Sequence, residues 1–136
     1  MDQVTETILL VDDRPANLVA LEAVMAPLGH RLVKATSGRE ALRFLLDEDC
    51  ALILLDVQMP DLDGFETAAL IRERQRTSHT PIIFVTALHS DEEHMVRGYS
   101  LGAVDYIVKP FNADTLVTKV RTFLHEQGLR RRQQVA

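Results

Sequence analysis

Residues 52–66 read LILLDVQMPDLDGFE. An apolar run with no alternation enters an acid at Asp56, and the turn-formers Pro60, Asp61, Asp63 and Gly64 follow within eight residues. A short continuous apolar run suits a strand buried on both faces. The Pro/Asp/Gly cluster suits a turn into a helix, with Asp61 and Asp63 as turn and cap residues. The strand is predicted over Ala51 to Leu55 and the helix over Gly64 to Arg74, burying Phe65, Ala68, Ala69 and Ile71.

The same unit repeats on either side. Apolar runs lie at Ile8 to Val11, Arg31 to Ala35, Ile82 to Val85 and Ala103 to Val108. Helical spacing fills the gaps. Arg14 to Leu28 turns Leu18, Leu21, Ala23, Val24 and Met25 inward and stops at Pro27-Leu28-Gly29. Ser37 to Leu46 opens on a capping-box pair, Ser37 and Glu40, with Ala41, Leu42 and Leu45 inward. Ser90 to Ser100 opens on a second such pair, Ser90 and Glu93. Asn112 caps a last helix with Leu116, Val117, Val120, Phe123 and Leu124 inward. Five successive β-α units predict an α/β fold, a parallel sheet with helices on both faces.

Composition sets the frame. The chain has 136 residues, 46% hydrophobic and 26% charged, an ordinary mix for one globular domain. One cysteine, Cys50, excludes a disulfide framework or a cysteine zinc site. A reduced, cytoplasmic chain is expected, with Cys50 a packing residue. Net charge is −5. Three of the 15 basic residues form the run Arg130 to Arg132 and all 20 acids precede Gln127, so residues 1–128 carry −8. An acidic body argues against direct nucleic-acid binding. No stretch approaches the ~20 apolar residues of a membrane helix, and no secretory signal is visible.

The strand exits carry the chemistry. In an open parallel sheet, ligands bind at the carboxyl ends of the strands. The first strand ends in Asp12-Asp13, the third in Asp56, the fourth in Thr86-Ala87 and the fifth in Lys109-Pro110. The second ends in Thr36-Ser37, which reads as helix capping alone. Any one of these has a bland explanation; Asp13, for instance, could simply cap the helix opening at Arg14-Pro15. Together they bring three carboxylates, a hydroxyl and an ammonium from four strands to one place. Crowded carboxylates repel unless a cation neutralises them, and Mg²⁺ takes oxygen ligands while keeping several waters. Asp13 and Asp56 are expected to hold Mg²⁺ directly, with Asp12 acting through water. Such a site suits phosphoryl transfer to a carboxylate. Asp56 is the expected acceptor, and Thr86 and the Ala87 amide are expected donors to the phosphoryl oxygens.

At these residues the sequence resembles the receiver domains of two-component response regulators over about Thr7 to Leu124, through ILLVDDRPAN, LILLDVQMPDLDGFE, PIIFVTAL and GAVDYIVKPF. The resemblance implies a five-stranded, doubly wound, flavodoxin-like sheet in the order 2-1-3-4-5. It implies Asp56 as phosphoacceptor, Asp12 and Asp13 as the acidic pair, and the Gln58 backbone carbonyl as a metal ligand. It also implies Thr86 and Lys109 as the phosphoryl-binding pair, Tyr106 as the aromatic switch and a cis Lys109-Pro110 bond. Gln58 and Leu88 would flank the path of the attacking water, with the apolar Leu88 slowing dephosphorylation. The implied partner is a histidine kinase or histidine phosphotransfer domain, docking near Pro15, Ala16, Leu18, Val19 and Phe111. The responding surface would be the helix at Ser90 to Ser100, the fifth strand and the last helix. Its groups His94, Arg97, Asp105 and Arg121 are candidates for partner or homodimer contacts, or are ordinary solvated faces.

The receiver is expected over residues 1–128. Residues 129–136 form a polar basic tail or the start of a linker helix, Gly128 either stopping the last helix or being carried through it. No output module is expected within these residues. The opening and closing segments resemble receivers joined to a histidine kinase or another signalling module; a stand-alone regulator is the rival. A Mg²⁺-dependent phosphatase-like enzyme with an Asp nucleophile would use similar groups, and a flavin-binding module would share the architecture. A pseudo-receiver would act as a docking surface alone. As a switch the chain would turn over no separate substrate. His30, His79, His89, His94 and His125 share no ligand spacing. Met25, Met59 and Met95 read as gap fillers, and Arg72, Arg74 and Arg76 as a solvated helix end.

Overall fold

The computed structural model describes residues 5–87, 97 and 99–135, with Val104 and residues 128–135 described by backbone alone. The predicted helix start at Ser90 and its partner Glu93, with Leu88, His89, His94 and Met95, lie outside the described residues.

Five parallel strands form one sheet: β1 (Thr7–Val11), β2 (Arg31–Ala35), β3 (Leu52–Leu55), β4 (Ile82–Thr86) and β5 (Ala103–Val108), in the order β2-β1-β3-β4-β5. Among the described residues, the helices are α1 (Pro15–Met25), α2 (Gly38–Asp47), α3 (Gly64–Glu73) and a C-terminal helix (Ala113–Val135). Strand parity divides the core. Ile8, Leu10, Leu52, Leu54, Ile83, Val85 and Ile107 meet Leu18, Leu21 and Met25 of α1 and Leu116, Val120 and Leu124 of the C-terminal helix. Leu9, Val11, Ile53, Leu55, Ile82 and Phe84 meet Ala41, Leu42 and Leu45 of α2 and Phe65, Ala68 and Ile71 of α3. Burying each large side chain contributes about 1.5–3 kcal/mol, so both faces of the three central strands hold the fold.

Several local expectations need correction. β2 is an edge strand, and of its five residues only Ala35 is buried. Its apolar run therefore does not mark burial on both faces. Ala23 is exposed and Ala69 half-buried, while Val24 packs against the core as expected and Thr67 is buried in α3. The α1 helix passes into a short 3-10 turn at Ala26–Leu28 that ends on Gly29 at φ 78°, a left-handed position suited to glycine. Ser37 accepts from the Glu40 N–H at 3.0 Å, but the Glu40 carboxylate takes the Thr36 hydroxyl, so only half the capping box forms. The full box appears instead on α3, between Asp63 and Glu66. Asp61 sits in the preceding turn at φ 65°. Asn112 caps the C-terminal helix through the Thr115 N–H at 3.1 Å, and that helix runs through Gly128 to Val135.

The largest departure is at Arg72, Arg74 and Arg76, which do not form a solvated helix end. The Arg72 guanidinium donates to the carbonyls of Leu101 (2.7 Å), Gly102 (3.2 Å), Thr77 (3.2 Å) and Thr80 (2.6 Å). Arg74 donates to Leu42 O at 2.8 Å. Arg76 donates to Leu46 O and Asp47 O and pairs with Asp49 at 2.8 Å. The last turn of a helix leaves carbonyls without partners. Arg76 supplies donors to the end of α2, Arg74 adds one to a carbonyl in the middle of that helix, and Arg72 ties the entry of β5 to the turn after α3.

Candidate functional site

The sheet register assembles the site. Val11 pairs with Leu55 across β1 and β3, and the Asp56 N–H donates to Val11 O at 3.0 Å. The residues that follow the two strands, Asp12 and Asp56, are thereby set side by side. Thr86 pairs with Val108 across β4 and β5, and the Lys109 N–H donates to Thr86 O at 2.7 Å. Lys109 thus leaves the sheet beside Thr86, and the Lys109-Pro110 peptide is cis. Behind Asp56 the chain folds back closely, the Gly64 N–H donating to Val57 O at 2.8 Å. A Cβ at residue 64 would strike the Asp56 carbonyl, so this approach requires glycine.

Carboxylate oxygens of Asp12, Asp13 and Asp56 all lie within 4.8 Å of one another. Asp12 is 1% exposed and Asp56 6%; Asp13 is half-buried. Asp12 is saturated with donors. Its Oδ1 accepts from the Arg14 N–H (2.9 Å) and Asn17 Nδ2 (3.3 Å), and its Oδ2 from Asn17 Nδ2 (3.1 Å) and Lys109 Nζ (2.7 Å). Lys109 also stands 3.6 Å from Asp56 Oδ2. The Gln58 N–H donates to Asp56 Oδ1 at 3.2 Å, with the Gln58 side chain exposed.

Burial pushes the Asp56 carboxyl above the ordinary aspartate range. Lys109 pulls the other way, Asp12 and Asp13 add like-charge repulsion, and the Gln58 N–H favours the ionised form. Asp13 is not a helix cap: α1 begins at Pro15 with Arg14 as N-cap and no side-chain cap bond. Three carboxylates of which one is fully engaged by protein donors form an all-oxygen set with net negative charge. That donor chemistry fits a hard divalent cation such as Mg²⁺, with Asp13 and Asp56 the freer ligands.

Thr86 is 3% exposed at the end of β4, and Ala87 beyond it is exposed. Tyr106 on β5 is half-buried, its ring 5.4 Å from Phe84 and 5.6 Å, edge-on, from Tyr99. Phe84 meets Phe65 at 5.1 Å, and the Arg97 guanidinium lies 4.7 Å over the Phe65 ring. An aromatic row therefore runs from Tyr99 along one face of the sheet to α3. Arg97 is exposed, and Asp105 forms a part-exposed pair with Lys119 at 2.7 Å. Arg121 is exposed. On α1, Leu18 is buried while Pro15, Ala16 and Val19 are exposed, and Phe111 is half-buried against the core. The sequence reading missed Asn17. Its amide is legible only once the first turn of α1 is seen to bring it under Asp12.

Cys50 packs against the core below the sheet, and burial pushes its thiol up to about 12. Among the described residues, no helix is long and apolar enough to cross a membrane.

Residues 8–121 match the response regulator receiver domain. The transcriptional regulatory protein AfsQ1 of Streptomyces coelicolor is 40% identical over 118 residues, 87% of this chain and 51% of that protein. A probable cyclic di-GMP phosphodiesterase of Vibrio cholerae is 37% identical over 121 residues, 89% of this chain and 27% of that protein. The chain thus spans between about a quarter and a half of the length of these relatives. The chemotaxis protein CheY4 of Vibrio cholerae superposes with a TM-score of 0.81 at 30% identity, covering 88% of this chain and 99% of that one.

Proposed function

The chain belongs to the response regulator receiver domain family of two-component signalling, and from that membership we propose that Asp56 accepts a phosphoryl group from a phosphohistidine of a kinase or phosphotransfer domain. The observation that carries the reading is the convergence of three carboxylates and the Lys109 ammonium at the carboxyl end of the sheet, beside the buried Thr86. An Asp56 carboxylate oxygen forms the new O–P bond as the donor's P–N bond breaks. The leaving imidazole takes the bonding pair and then a proton. Lys109, already shared between Asp12 and Asp56, neutralises the transferring group. The Thr86 hydroxyl and the Ala87 amide donate to its oxygens.

Asp13, Asp56 and the Gln58 carbonyl would hold Mg²⁺, with Asp12 acting through water. Bound there, the ion would neutralise charge on the phosphoryl oxygens. The product is an aspartyl phosphate, and the chain is a switch that turns over no separate substrate. Thr86 and Tyr106 carry the change to the surface formed by the segment before β5, β5 itself and the C-terminal helix. That surface is the candidate site for partner or homodimer contacts. Gln58 and Leu88 modulate the lifetime of the phosphorylated form. The receiver occupies residues 1–128, and the helix that continues from it to Val135 leads toward an in-chain kinase or output module. A cytoplasmic site of action, without direct nucleic-acid contact, fits the acidic surface. The family match leaves nothing in favour of a phosphatase-like enzyme or a flavin module.

Intact-mass spectrometry after incubation with acetyl phosphate tests this, run with Mg²⁺, with excess chelator and on Asp56→Asn. A single phosphoryl adduct that needs both Mg²⁺ and Asp56 is expected. An adduct that survives in Asp56→Asn would place the acceptor on another residue and overturn the role of Asp56, whereas no adduct and no uptake of beryllofluoride would point instead to a pseudo-receiver acting as a docking module.

A further inference from the structure

We propose that Asn17 is a positioning residue for the acidic site, holding the Asp12 carboxylate in place while Lys109 is exchanged away from it. The inference rests on the Mg²⁺-dependent phosphoacceptor reading and deepens it. Asp12 is buried and accepts from three sources. One, the Arg14 N–H, is backbone at the start of α1. The second, Lys109, stands between two carboxylates, at 2.7 Å from Asp12 and 3.6 Å from Asp56. A lysine that neutralises a phosphoryl group on Asp56 must loosen its hold on Asp12. A buried carboxylate that loses a charged donor is free to rotate unless another donor fixes it.

Asn17 is the remaining donor. Its Nδ2 reaches both Asp12 oxygens, at 3.3 and 3.1 Å. It sits in the first turn of α1, where its own N–H donates to Arg14 O at 3.0 Å, and Leu18 beside it is buried in the core. The bond is therefore independent of the β5 exit that carries Lys109. An amide suits the place chemically. It donates without adding charge, so it orients Asp12 without competing for the cation as a fourth carboxylate or a second ammonium would. Partners of this outer kind typically change metal affinity by about 10–100-fold when removed.

The test is a Mg²⁺ titration of the ¹⁵N-labelled chain followed by amide chemical shifts, on the parent, Asn17→Ala and Asn17→Gln, with thermal unfolding of each in excess chelator. The expected result is a Kd weakened by about tenfold in Asn17→Ala at a nearly unchanged chelator Tm, with Asn17→Gln recovering part of the affinity. Raising Mg²⁺ should then return the acetyl phosphate reaction of Asn17→Ala toward the parent rate. A Kd within about twofold of the parent in Asn17→Ala would overturn the proposal. So would a loss that saturating Mg²⁺ does not rescue. If Asn17→Ala fails to fold, Asn17→Gln decides: an affinity clearly below the parent's at an unchanged chelator Tm supports the proposal, and a Kd within about twofold of the parent overturns it. A parent chain that binds no Mg²⁺ would sink the metal reading itself along with it, which separates the two failures.

Discussion

The two ends of the sheet use their cations in opposite ways. At the amino end, Arg72, Arg74 and Arg76 direct their guanidinium donors mainly to backbone carbonyls. At the carboxyl end, one ammonium is divided between two buried carboxylates at unequal distances. Carbonyls cannot change charge, and a planar fork that meets four of them is held in one geometry. Carboxylates can gain a proton, a metal or a phosphoryl group, and a flexible lysine can follow whichever charge is larger. One end is built to stay closed and the other to be rearranged. Stability and function should therefore separate on mutation.

The largest stability loss is expected at the closed end. Arg72→Ala removes four donors at once and leaves the carbonyls of Leu101, Gly102, Thr77 and Thr80 short of partners. The expected cost is about 2–4 kcal/mol in urea unfolding, with phosphoryl uptake retained under conditions where the variant is folded. Arg72→Lys should recover little of it, since an ammonium cannot reproduce the fork. A neutral Arg72→Ala would break the comparison.

A smaller effect of opposite sign is expected at the open end. The Asp56 carboxyl is held above its ordinary range, first by burial, so the folded chain binds that proton more tightly than the unfolded chain does. Stability therefore falls as pH rises through the carboxylate range and returns as pH is lowered. Asp56→Asn removes the penalty. In chelator, its Tm should exceed the parent's by several degrees at pH 7, and the gap should close toward acid pH. A gap that is constant with pH would show that the charge is not its cause.

Arg74→Ala, which loses one bond to Leu42 O, should cost about 1 kcal/mol, a graded check that the arginines act through the carbonyls they meet. The mildest probe is Cys50, whose thiol is pushed up to about 12 by burial. Alkylation by iodoacetamide at pH 8 should be slow in the folded chain and rapid in urea. Fast labelling of the native chain would mean that the amino end opens readily.

The difference between the ends also explains what the sequence discloses. Strand exits are legible because an apolar run that stops at an acid needs no knowledge of neighbours. Asp12, Asp13, Asp56, Thr86 and Lys109 can therefore be named without the fold, and the register then sets them together. The full capping box at Asp63 and Glu66 is local and is readable as a cap at Asp63. The arginine clamps are not local. Arg72 meets Leu101 and Arg74 meets Leu42, about 30 positions away in the chain, through carbonyls that every residue carries. No side-chain pattern marks such an acceptor. Ala23 and β2 mislead for a related reason. Apolar composition does not say whether a neighbouring element covers a residue, and β2 has none on its outer edge. Asn17 hides behind Asp12 because its role depends on where one turn of helix points.

The aromatic row beside Thr86 has a practical consequence. Tyr99 and Tyr106 are the only tyrosines of the chain, and there is no tryptophan. With their rings 5.6 Å apart, all intrinsic fluorescence above the phenylalanine band originates from one spot on β5 and the segment before it. Any rearrangement of Tyr106 changes the environment of both emitters at once. The protein carries its own optical reporter, placed where the proposed switch would move, and it can be followed without a label.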